Sequence, residues 1–312
     1  MAKVLVTGAG GKIGQVLMKT LADRGHTSIG LYRSRRGDDG HGRWSKADIT
    51  DPQSYAVLLE DCDAVIHLAV SFEPQTMFCV NVEATRELVN IAGRAGVRYF
   101  GLTSSVAVYG TPNFSVIDET IPPVDPSQAM GAQYLATPLM HEYARTKRLA
   151  EILVESSRGD MTVDIYRPTV VVRPDELREI GNWSPARKTR NANRLTRYVT
   201  TIDVAAAMVH LMEIGLKQTH RKTVEIYNIG DDASGTYSEL FDGLHRQTAD
   251  PRFRVPLKLP RLVDRIIDMV RNRNWHAKFF RQSGRISSSK LAQTGFILPM
   301  GITGATMSDI RP

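Results

Sequence analysis

Cysteine is scarce in this chain, because only two of its 312 residues, Cys62 and Cys79, are of this type. The sequence has no Cys-X-X-Cys pair and no histidines clustered at metal-ligand spacing, so we predict no metal site. Two cysteines of this kind are more typical of reduced packing residues than of a disulfide, as expected in a reducing compartment.

Long apolar runs are missing as well. No stretch is apolar over the length needed to cross a bilayer, and no charged segment followed by an apolar one marks a secretion signal. We therefore expect a cytoplasmic protein that does not insert into a membrane. The content of 42% hydrophobic and 23% charged residues is ordinary for a soluble globular protein, and 312 residues can bury a sizeable core.

Acidic residues are outnumbered, which leaves a net charge of +7 and a pI near 9.4. The basic residues collect at 33–36, 187–197 and 252–285, but base-stacking motifs of an RNA- or DNA-binding module are absent. We predict no nucleic-acid partner. The basic clusters are either solvated surface or contacts for a small-molecule substrate, which could then be anionic.

A glycine-rich turn lies near the start of the chain. Residues 3–7 form a short β-type run that breaks at Gly-Ala-Gly-Gly-Lys-Ile-Gly, after which apolar residues repeat at helical steps. Gly8, Gly11 and Gly14 would allow a tight turn, close approach of a diphosphate to the helix N-terminus, and packing of helix on strand. This context favours dinucleotide binding over a generic tight turn.

Strand and helix patterns alternate along the chain, which predicts an α/β fold with a doubly wound parallel sheet, the Rossmann fold. Strand candidates are 3–7, 27–31, 64–68, 99–103 and 163–166, and helix candidates are 12–24, 52–60, 77–95 and 139–156. We predict a nucleotide-binding domain over 1–173 and a smaller C-terminal substrate lobe over 174–312, with segments around 196–230 returning to the first domain. Residues 111–138 would form an irregular loop over the site.

Tyr143 and Lys147 lie four residues apart in a predicted helix and so share one of its faces. A free phenol titrates near pH ~10, and a nearby ammonium can lower that pKa enough for acid/base chemistry. Such a pair is usually solvated surface, so its catalytic interpretation depends on the dinucleotide motif elsewhere in the chain.

Together these motifs resemble the short-chain dehydrogenase/reductase superfamily, specifically its extended branch of nucleotide-sugar epimerases, dehydratases and ketoreductases. The resemblance covers about residues 2–230, and further segments match in order at 47–51, 65–69, 81–85, 103–110, 166–169, 201–205 and 224–230. It implies Ser105, Tyr143 and Lys147 as catalytic residues. The implied cofactor-binding residues are Gly8, Gly11, Lys12, Ile13, Gly14, Arg33, Asp48, Ile49, Leu68, Ala69, Asn81, Thr103, Tyr143, Lys147, Tyr166 and Pro168.

The resemblance also implies a mechanism. Hydride would move between the nicotinamide C4 and a substrate carbon while Tyr143 exchanges a proton with the oxygen on that carbon. Lys147 would hold the nicotinamide ribose and lower the pKa of the phenol, and Ser105 would bond the same substrate oxygen. His67 lies in an apolar strand and is predicted to be a core histidine, whereas His141 could face the substrate.

The residues after the second strand bear on the choice of cofactor. NAD-preferring relatives place an acidic residue there to bind the adenosine ribose, but this chain has Tyr32 followed by Arg33, Ser34 and Arg35. The sequence therefore predicts NADP(H), with NAD as the alternative. Arg33, with Arg35 beside it, would pair with the 2′-phosphate.

Three functions stay open: a ketoreductase or alcohol dehydrogenase acting on a sugar or natural-product intermediate, a nucleotide-sugar epimerase or dehydratase, and a non-catalytic dinucleotide sensor. Thr169 stands where sugar epimerases often carry an asparagine, which weakens the second. The intact Ser105, Tyr143 and Lys147 set argues against the third. Thr146 replaces the usual serine before the lysine, a mild change.

Relatives often pair through the helices at 77–95 and 139–156, so we expect a homodimer.

Overall fold

The computed structural model describes residues 1–37, 40–110, 114–127, 137–218, 223–258, 260 and 284–302. Its centre is a seven-stranded sheet in the order β10-β7-β5-β4-β1-β2-β3, in which every neighbouring pair is parallel. These strands are β1 (Lys3–Thr7), β2 (Thr27–Tyr32), β3 (Arg43–Lys46), β4 (Ala64–His67), β5 (Tyr99–Thr103), β7 (Thr162–Pro168) and β10 (Val224–Ile229). Two small parallel pairs join β6 (Val116–Ile117) to β11 (Arg285–Ile286) and β8 (Val170–Val172) to β9 (Tyr198–Thr200).

Helices cover both faces of the large sheet. They are α1 (Lys12–Asp23), α2 (Pro74–Phe78), α3 (Ala84–Arg94), α4 (Pro138–Ser157), α5 (Glu176–Glu179), α6 (Pro185–Asn191), α7 (Thr201–Lys217), α8 (Tyr237–Thr248) and α9 (Ser289–Gln293). Helices α1 and α7 contribute to the apolar cluster on one face, and α3 and α4 contribute to the cluster on the other. The predicted doubly wound α/β fold is therefore confirmed.

Strand β1 shows how the sequence builds both layers. Successive side chains of a strand point to opposite faces, and Val4 and Val6 enter the cluster with α1 and α7, whereas Leu5 enters the cluster with α3 and α4. All three are fully buried, because a parallel sheet with helices on both sides has no solvated face.

Several predicted elements differ from the structure. The predicted strands are present, but β3 was missed because it is a short edge strand with Trp44 as its one large apolar residue. The predicted helix at 52–60 is two 3-10 turns, Pro52–Ser54 and Ala56–Leu59. The predicted helix at 77–95 is interrupted by a π-helical turn, Cys79–Glu83, between α2 and α3, and a one-residue insertion of this kind leaves little trace in an apolar pattern.

The part of the chain after β7 divides between the two regions. Helix α7 packs against α1, and β10 adds an edge strand beside β7, so these two elements complete the large sheet and its cover. Strands β8 and β9 and helices α5, α6 and α8 lie outside the large sheet, in or after the region where a substrate lobe is predicted. Of the predicted loop at 111–138, residues 111–113 and 128–136 lie outside the described residues.

The two cysteines have different surroundings. Cys62 is buried in the core as predicted, but Cys79 is exposed on the π-helical turn, so its assignment as a packing residue was wrong.

His67 is a core histidine, as predicted, because its ring nitrogens bond the hydroxyls of Thr7 (2.7 Å) and Thr85 (2.9 Å). Burial lowers its pKa to about 3, so the ring is neutral. Among the helices of the described residues, none has the length and apolarity to cross a membrane.

Gly101, in the middle of β5, provides a test of the packing. A β-carbon added there would lie 2.6 Å from the hydroxyl of Tyr166, a fully buried residue whose hydroxyl also bonds that of Tyr99. We expect Gly101→Ala to lower the free energy of unfolding by roughly 1–3 kcal/mol, measured by urea denaturation. The matched control is Gly243→Ala in α8, where no atom beyond the local backbone of the helix lies within 4 Å of the added carbon and helix propensity should raise stability by about 0.5–1 kcal/mol. Equal stability of the two variants would contradict this packing.

Candidate active site

The glycine turn between β1 and α1 is closed to side chains. Gly8 has a φ of +64°, and a β-carbon on it would lie 2.8 Å from the amide nitrogen of Ala69, at the end of β4. A β-carbon on Gly14 would lie 2.5 Å from the carbonyl oxygen of Gly8. The turn thus lets a ligand approach the N-terminus of α1, where unpaired N–H groups and the helix dipole favour an anion.

A cavity of about 320 Å³ lies against this turn, at the carboxyl ends of β1, β2 and β4. Ligands of open α/β sheets bind at this edge. Seven of the predicted cofactor-binding residues line the cavity: Gly8, Gly11, Arg33, Asp48, Ile49, Leu68 and Ala69. Tyr32, Ser34, Arg35, Val70 and Ser71 line it as well. The Asp48 carboxylate accepts hydrogen bonds from Thr50, which lower its pKa and keep it ionised.

Other predicted cofactor residues do not line the cavity. The Lys12 amine lies 2.7 Å from the carboxylate of Glu176 and so joins the start of α1 to α5. Asn81 is buried on the π-helical turn, where its amide accepts from the Ser71 nitrogen (2.8 Å) and donates to the Ser71 carbonyl (3.0 Å). Asn81 thus fixes the loop that lines the cavity. Ile13, in the first turn of α1, packs against the apolar core.

The side chain of Tyr166, a predicted cofactor-binding residue, does not reach the cavity. Its ring is fully buried within the sheet, and its hydroxyl lies 2.5 Å from that of Tyr99. Because side chains alternate along β7, Tyr166 points into one core while Arg167 points to the opposite face. Pro168 is buried at the last position of β7, where it pairs with Ile229 of β10.

The three predicted catalytic residues meet at the ends of β5 and α4. Helix α4 begins after Thr137, whose hydroxyl accepts from the Met140 nitrogen, and has proline in its first position, where the missing N–H costs nothing. Tyr143 and Lys147 are both buried on α4, and the Lys147 amine donates to the Thr103 carbonyl at 2.7 Å. Ser105 follows two residues after Thr103, and its hydroxyl accepts from the Ala107 nitrogen at 3.1 Å.

Burial sets the protonation of this group. Removal from water raises the pKa of Tyr143 to about 12, with a hydrogen bond to Ser105 acting in the opposite direction. Burial also lowers the pKa of Lys147 to about 8, opposed by the charge of Glu151. The expectation that Lys147 lowers the pKa of the phenol is therefore not met, because the ammonium bonds the Thr103 carbonyl and desolvation of the phenol dominates. At neutral pH the phenol carries its proton.

Sequence reasoning missed a buried ion pair beside these residues. Glu151 and Arg167, exposed by 0% and 1%, form two parallel hydrogen bonds of 2.8 Å. Arg167 also donates to the Tyr109 hydroxyl, which donates to the Asn228 side chain, both at 2.9 Å. The signal was available, because Glu151 lies four residues after Lys147 and so shares its helix face. The network joins α4, β7, β10 and the turn that Ser105 begins.

Sequence reasoning also missed Phe72. This residue follows the cavity-lining Ser71, and its ring stacks on that of Tyr143 with centroids 4.6 Å apart and planes 19° apart. The loop at 68–72 therefore connects the cavity directly to the phenol.

A larger cavity of about 710 Å³ lies at the opposite end of the sheet, between the C-terminal ends of α3, α4 and α7. Its described lining includes Arg94, Arg98 and Asp160 but no member of the predicted site. We place the candidate site at the carboxyl edge, because the glycine turn, the buried phenol and the buried lysine lie there.

The fold and the glycine turn together define a Rossmann protein of the dinucleotide-binding class. A model of the NAD dependent epimerase/dehydratase family matches residues 4–230. Cinnamoyl-CoA reductase 1 of Petunia hybrida is 32% identical over 238 residues, which are 67% of this chain and 68% of that protein. A 3 beta-hydroxysteroid dehydrogenase/Delta 5→4-isomerase of Mycobacterium tuberculosis is 32% identical over 202 residues. These are 60% of this chain and 50% of that relative.

Solved structures agree on the fold. MoeE5 in complex with UDP-glucose and NAD superposes with a TM-score of 0.71 at 20% identity, over 99% of this chain and 97% of MoeE5. The chain thus belongs to the NAD dependent epimerase/dehydratase family and is an enzyme of the short-chain dehydrogenase/reductase type. The resemblance inferred from the motifs is confirmed.

The buried ion pair gives a testable expectation. Glu151→Gln leaves the Arg167 guanidinium buried without a counter-charge, which should lower the free energy of unfolding by on the order of 3 kcal/mol in urea denaturation. The control is Arg148→Ala, which removes the more exposed partner of the same carboxylate and should cost less than about 1 kcal/mol. A Glu151→Gln variant as stable as the control would show that the pair does not hold α4 to β7.

Proposed function

We propose that the protein is an NADP(H)-dependent reductase that converts a small-molecule ketone or aldehyde to an alcohol, and can run in reverse. The observation that carries this proposal is the convergence of a buried, protonated phenol, Ser105 and Lys147 at the end of β5, beside the cavity of the glycine turn. The loop at 68–72 joins the two parts.

The residues around the cavity fit a dinucleotide. The glycine turn leaves space where a side chain would be, and Gly11 presents its backbone at the start of α1 for a diphosphate. Asp48 is ionised and lines the cavity, as suits a contact with an adenine amino group. When bound, the nicotinamide supplies or accepts the hydride.

The chain's own residues handle the proton. Tyr143 donates its phenolic proton to the carbonyl oxygen as negative charge develops there during reduction. Ser105 lies beside the phenol, whose pKa it lowers through a hydrogen bond, and it would bond the same substrate oxygen. Lys147 donates to the Thr103 carbonyl, which fixes α4 against the end of β5 and so holds Tyr143 in position.

The reductase assignment draws support from the relatives. The petunia protein is by name a reductase, and the mycobacterial protein is by name a dehydrogenase/isomerase. The second candidate is a nucleotide-sugar epimerase, favoured by solved structures such as UDP-glucose-4-epimerase from Stenotrophomonas maltophila, at 19% identity. Thr169 rather than asparagine after β7 weighs against it.

The preference for NADP(H) is supported by the end of β2. Tyr32, Arg33, Ser34 and Arg35 line the cavity, and residues 32–37 include no acidic side chain. Two guanidinium groups at the adenosine end suit the extra phosphate of NADP, whereas NAD offers neutral ribose hydroxyls there.

Tyr143→Phe tests the acid. We expect the rate of NADPH consumption with a panel of ketones to fall by about 10²–10⁴-fold, while NADPH affinity changes little, because only the proton donor is lost. Tyr55→Phe is the matched control: it is also a buried tyrosine, its pKa is also raised to about 12, and its hydroxyl has no partner among the described residues. This control should keep full turnover. Unaltered turnover in Tyr143→Phe would refute the role. Isomerised nucleotide sugar with no net loss of NADPH would instead support the epimerase.

Arg33→Ala tests the choice of cofactor. Loss of a charge-assisted hydrogen bond to the 2′-phosphate should weaken NADPH binding by about 10–100-fold and leave NADH binding unchanged, measured by fluorescence titration of each nucleotide. Arg43→Ala is the control, because Arg43 is exposed on the neighbouring strand β3 and lies outside the cavity lining. An equal loss of affinity for both nucleotides would contradict recognition of the phosphate.

A further inference from the structure

Lys12 is an unfavourable residue for the start of α1. It is the first residue of this helix, whose first turn carries no acidic side chain and whose cap residue, Gly11, has no side chain to accept a hydrogen bond. The N-terminus of a helix carries partial positive charge, so a lysine there costs stability unless an anion lies nearby. The position therefore favours an anion that neutralises the ammonium and the helix end together.

Glu176 of α5 provides that anion. The Nζ atom of Lys12 lies 2.7 Å from Oε2 of Glu176 and 3.4 Å from the Val171 carbonyl oxygen. The two side chains are 39% and 28% exposed, so water reaches both members of the pair. Partial burial raises the pKa of Glu176, but hydrogen bonds from Lys12 and from the Arg173 nitrogen bring that pKa below its usual range, and the carboxylate is ionised at neutral pH.

The carboxylate of Glu176 has a second cationic partner. The Arg173 nitrogen donates to Oε2 at 3.0 Å, and the Arg173 guanidinium lies 3.3 Å from Oε1. Release of Lys12 would therefore not leave Glu176 without a counter-charge. An exposed ion pair adds little net stability, so the lysine can leave at small cost.

The same lysine lies next to the place where a dinucleotide would put its diphosphate. Gly11, the residue before it, lines the cavity. Side chains of a helix lean toward its N-terminus, so the Lys12 ammonium extends toward the end of α1 at which an anion binds. A diphosphate at this end and the carboxylate of Glu176 would both lie within reach of one ammonium, and they would compete for it.

We propose that Glu176 is a positioning residue that sets the affinity for the dinucleotide by holding Lys12 away from the diphosphate. In the free protein the ammonium pairs with Glu176, and in the complex it turns to the diphosphate while Arg173 keeps the carboxylate. Loss of the first pair offsets part of the second attraction and weakens binding. Weaker binding suits a reductase, which exchanges oxidised for reduced dinucleotide in each turnover. This inference rests on the proposed function, which supplies the dinucleotide.

Glu176→Gln tests the competition. The amide keeps the size of the side chain but not the charge that attracts the ammonium. We expect NADP⁺ to bind about 3–5-fold more tightly in calorimetric titration at low ionic strength, the strength of one exposed ion pair. The gain should shrink at high salt, because exposed charges are screened.

Glu179→Gln is the matched control for this variant. It removes the same charge from an exposed position of α5, where the carboxylate bonds Asn182 rather than Lys12. The control should bind NADP⁺ as the unaltered protein does. Unchanged or weaker binding in Glu176→Gln, or an equal gain in Glu179→Gln, would overturn the proposal.

Lys12→Met assigns the effect to one ammonium. Methionine keeps an unbranched apolar stem and a high helix propensity. We expect NADP⁺ to bind about 3–5-fold more weakly, and Glu176→Gln to add no gain in this background, which a double-mutant cycle measures. Lys19→Met, which removes a lysine paired with Asp23 later in the same helix, is the control. An equal gain from Glu176→Gln with and without Lys12 would contradict action through the lysine.

A ligand without a diphosphate completes the test. Adenosine 2′-monophosphate carries the phosphate that Arg33 is proposed to bind but has no diphosphate, so Glu176→Gln should leave its affinity unchanged. A gain as large as that for NADP⁺ would show a general effect of charge and would sink the proposal.

The outcome is separable from that of the proposed reaction, because these titrations need no ketone. If Glu176→Gln tightens NADP⁺ binding through Lys12 but no ketone is reduced, the reductase proposal fails and the role of Glu176 stands. If ketones are reduced and Glu176→Gln leaves NADP⁺ binding unchanged, the reverse holds. A protein that binds no dinucleotide would overturn both.

Discussion

A buried ion pair between Glu151 of α4 and Arg167 of β7 holds the reactive end of the molecule together. Neither side chain has significant contact with solvent, so the Arg167 charge depends on Glu151 for compensation. Through Tyr109 and Asn228 the same guanidinium reaches the turn after Ser105 and the edge strand β10. A buried pair adds little stability over apolar packing, but only one placement of α4 on the sheet satisfies both charges. That placement sets Lys147, one turn earlier, against the Thr103 carbonyl.

Exclusion of water governs the chemistry of the site more than attraction between its charges does. The pKa of Tyr143 rises and the pKa of Lys147 falls for the same reason, since burial disfavours the charged form of each group. The neighbouring His67 is neutral for that reason too, with its two nitrogens bonded to hydroxyls. A protonated phenol beside a buried ammonium is suited to proton donation, which is the direction that carbonyl reduction requires.

The shared frame and the individual features of this enzyme occupy different parts of the chain. The glycine turn, the sheet and the buried network place the candidate cavity next to Tyr143. What could distinguish this chain from its relatives lies in loops on that frame: Arg33 and Arg35 after β2, and Phe72 after β4. Such loops can change without disturbing the core, which explains how reductases, dehydrogenases and epimerases have come to share one architecture.

The sequence by itself determined the fold class, the glycine turn, the placement of Tyr143 and Lys147 on one helix face and the core role of His67, because local periodicity and residue type are enough to predict these features. Only the tertiary structure decided which side chains reach the cavity. In the folded chain the Tyr166 side chain lies in the core, and Lys12 bonds Glu176. Asn81 supports the loop from behind by bonding Ser71, and Phe72 stacks on Tyr143. The tertiary structure also reversed the expected pKa change of the phenol. These outcomes depend on burial and on partners far away in sequence, which no local pattern encodes.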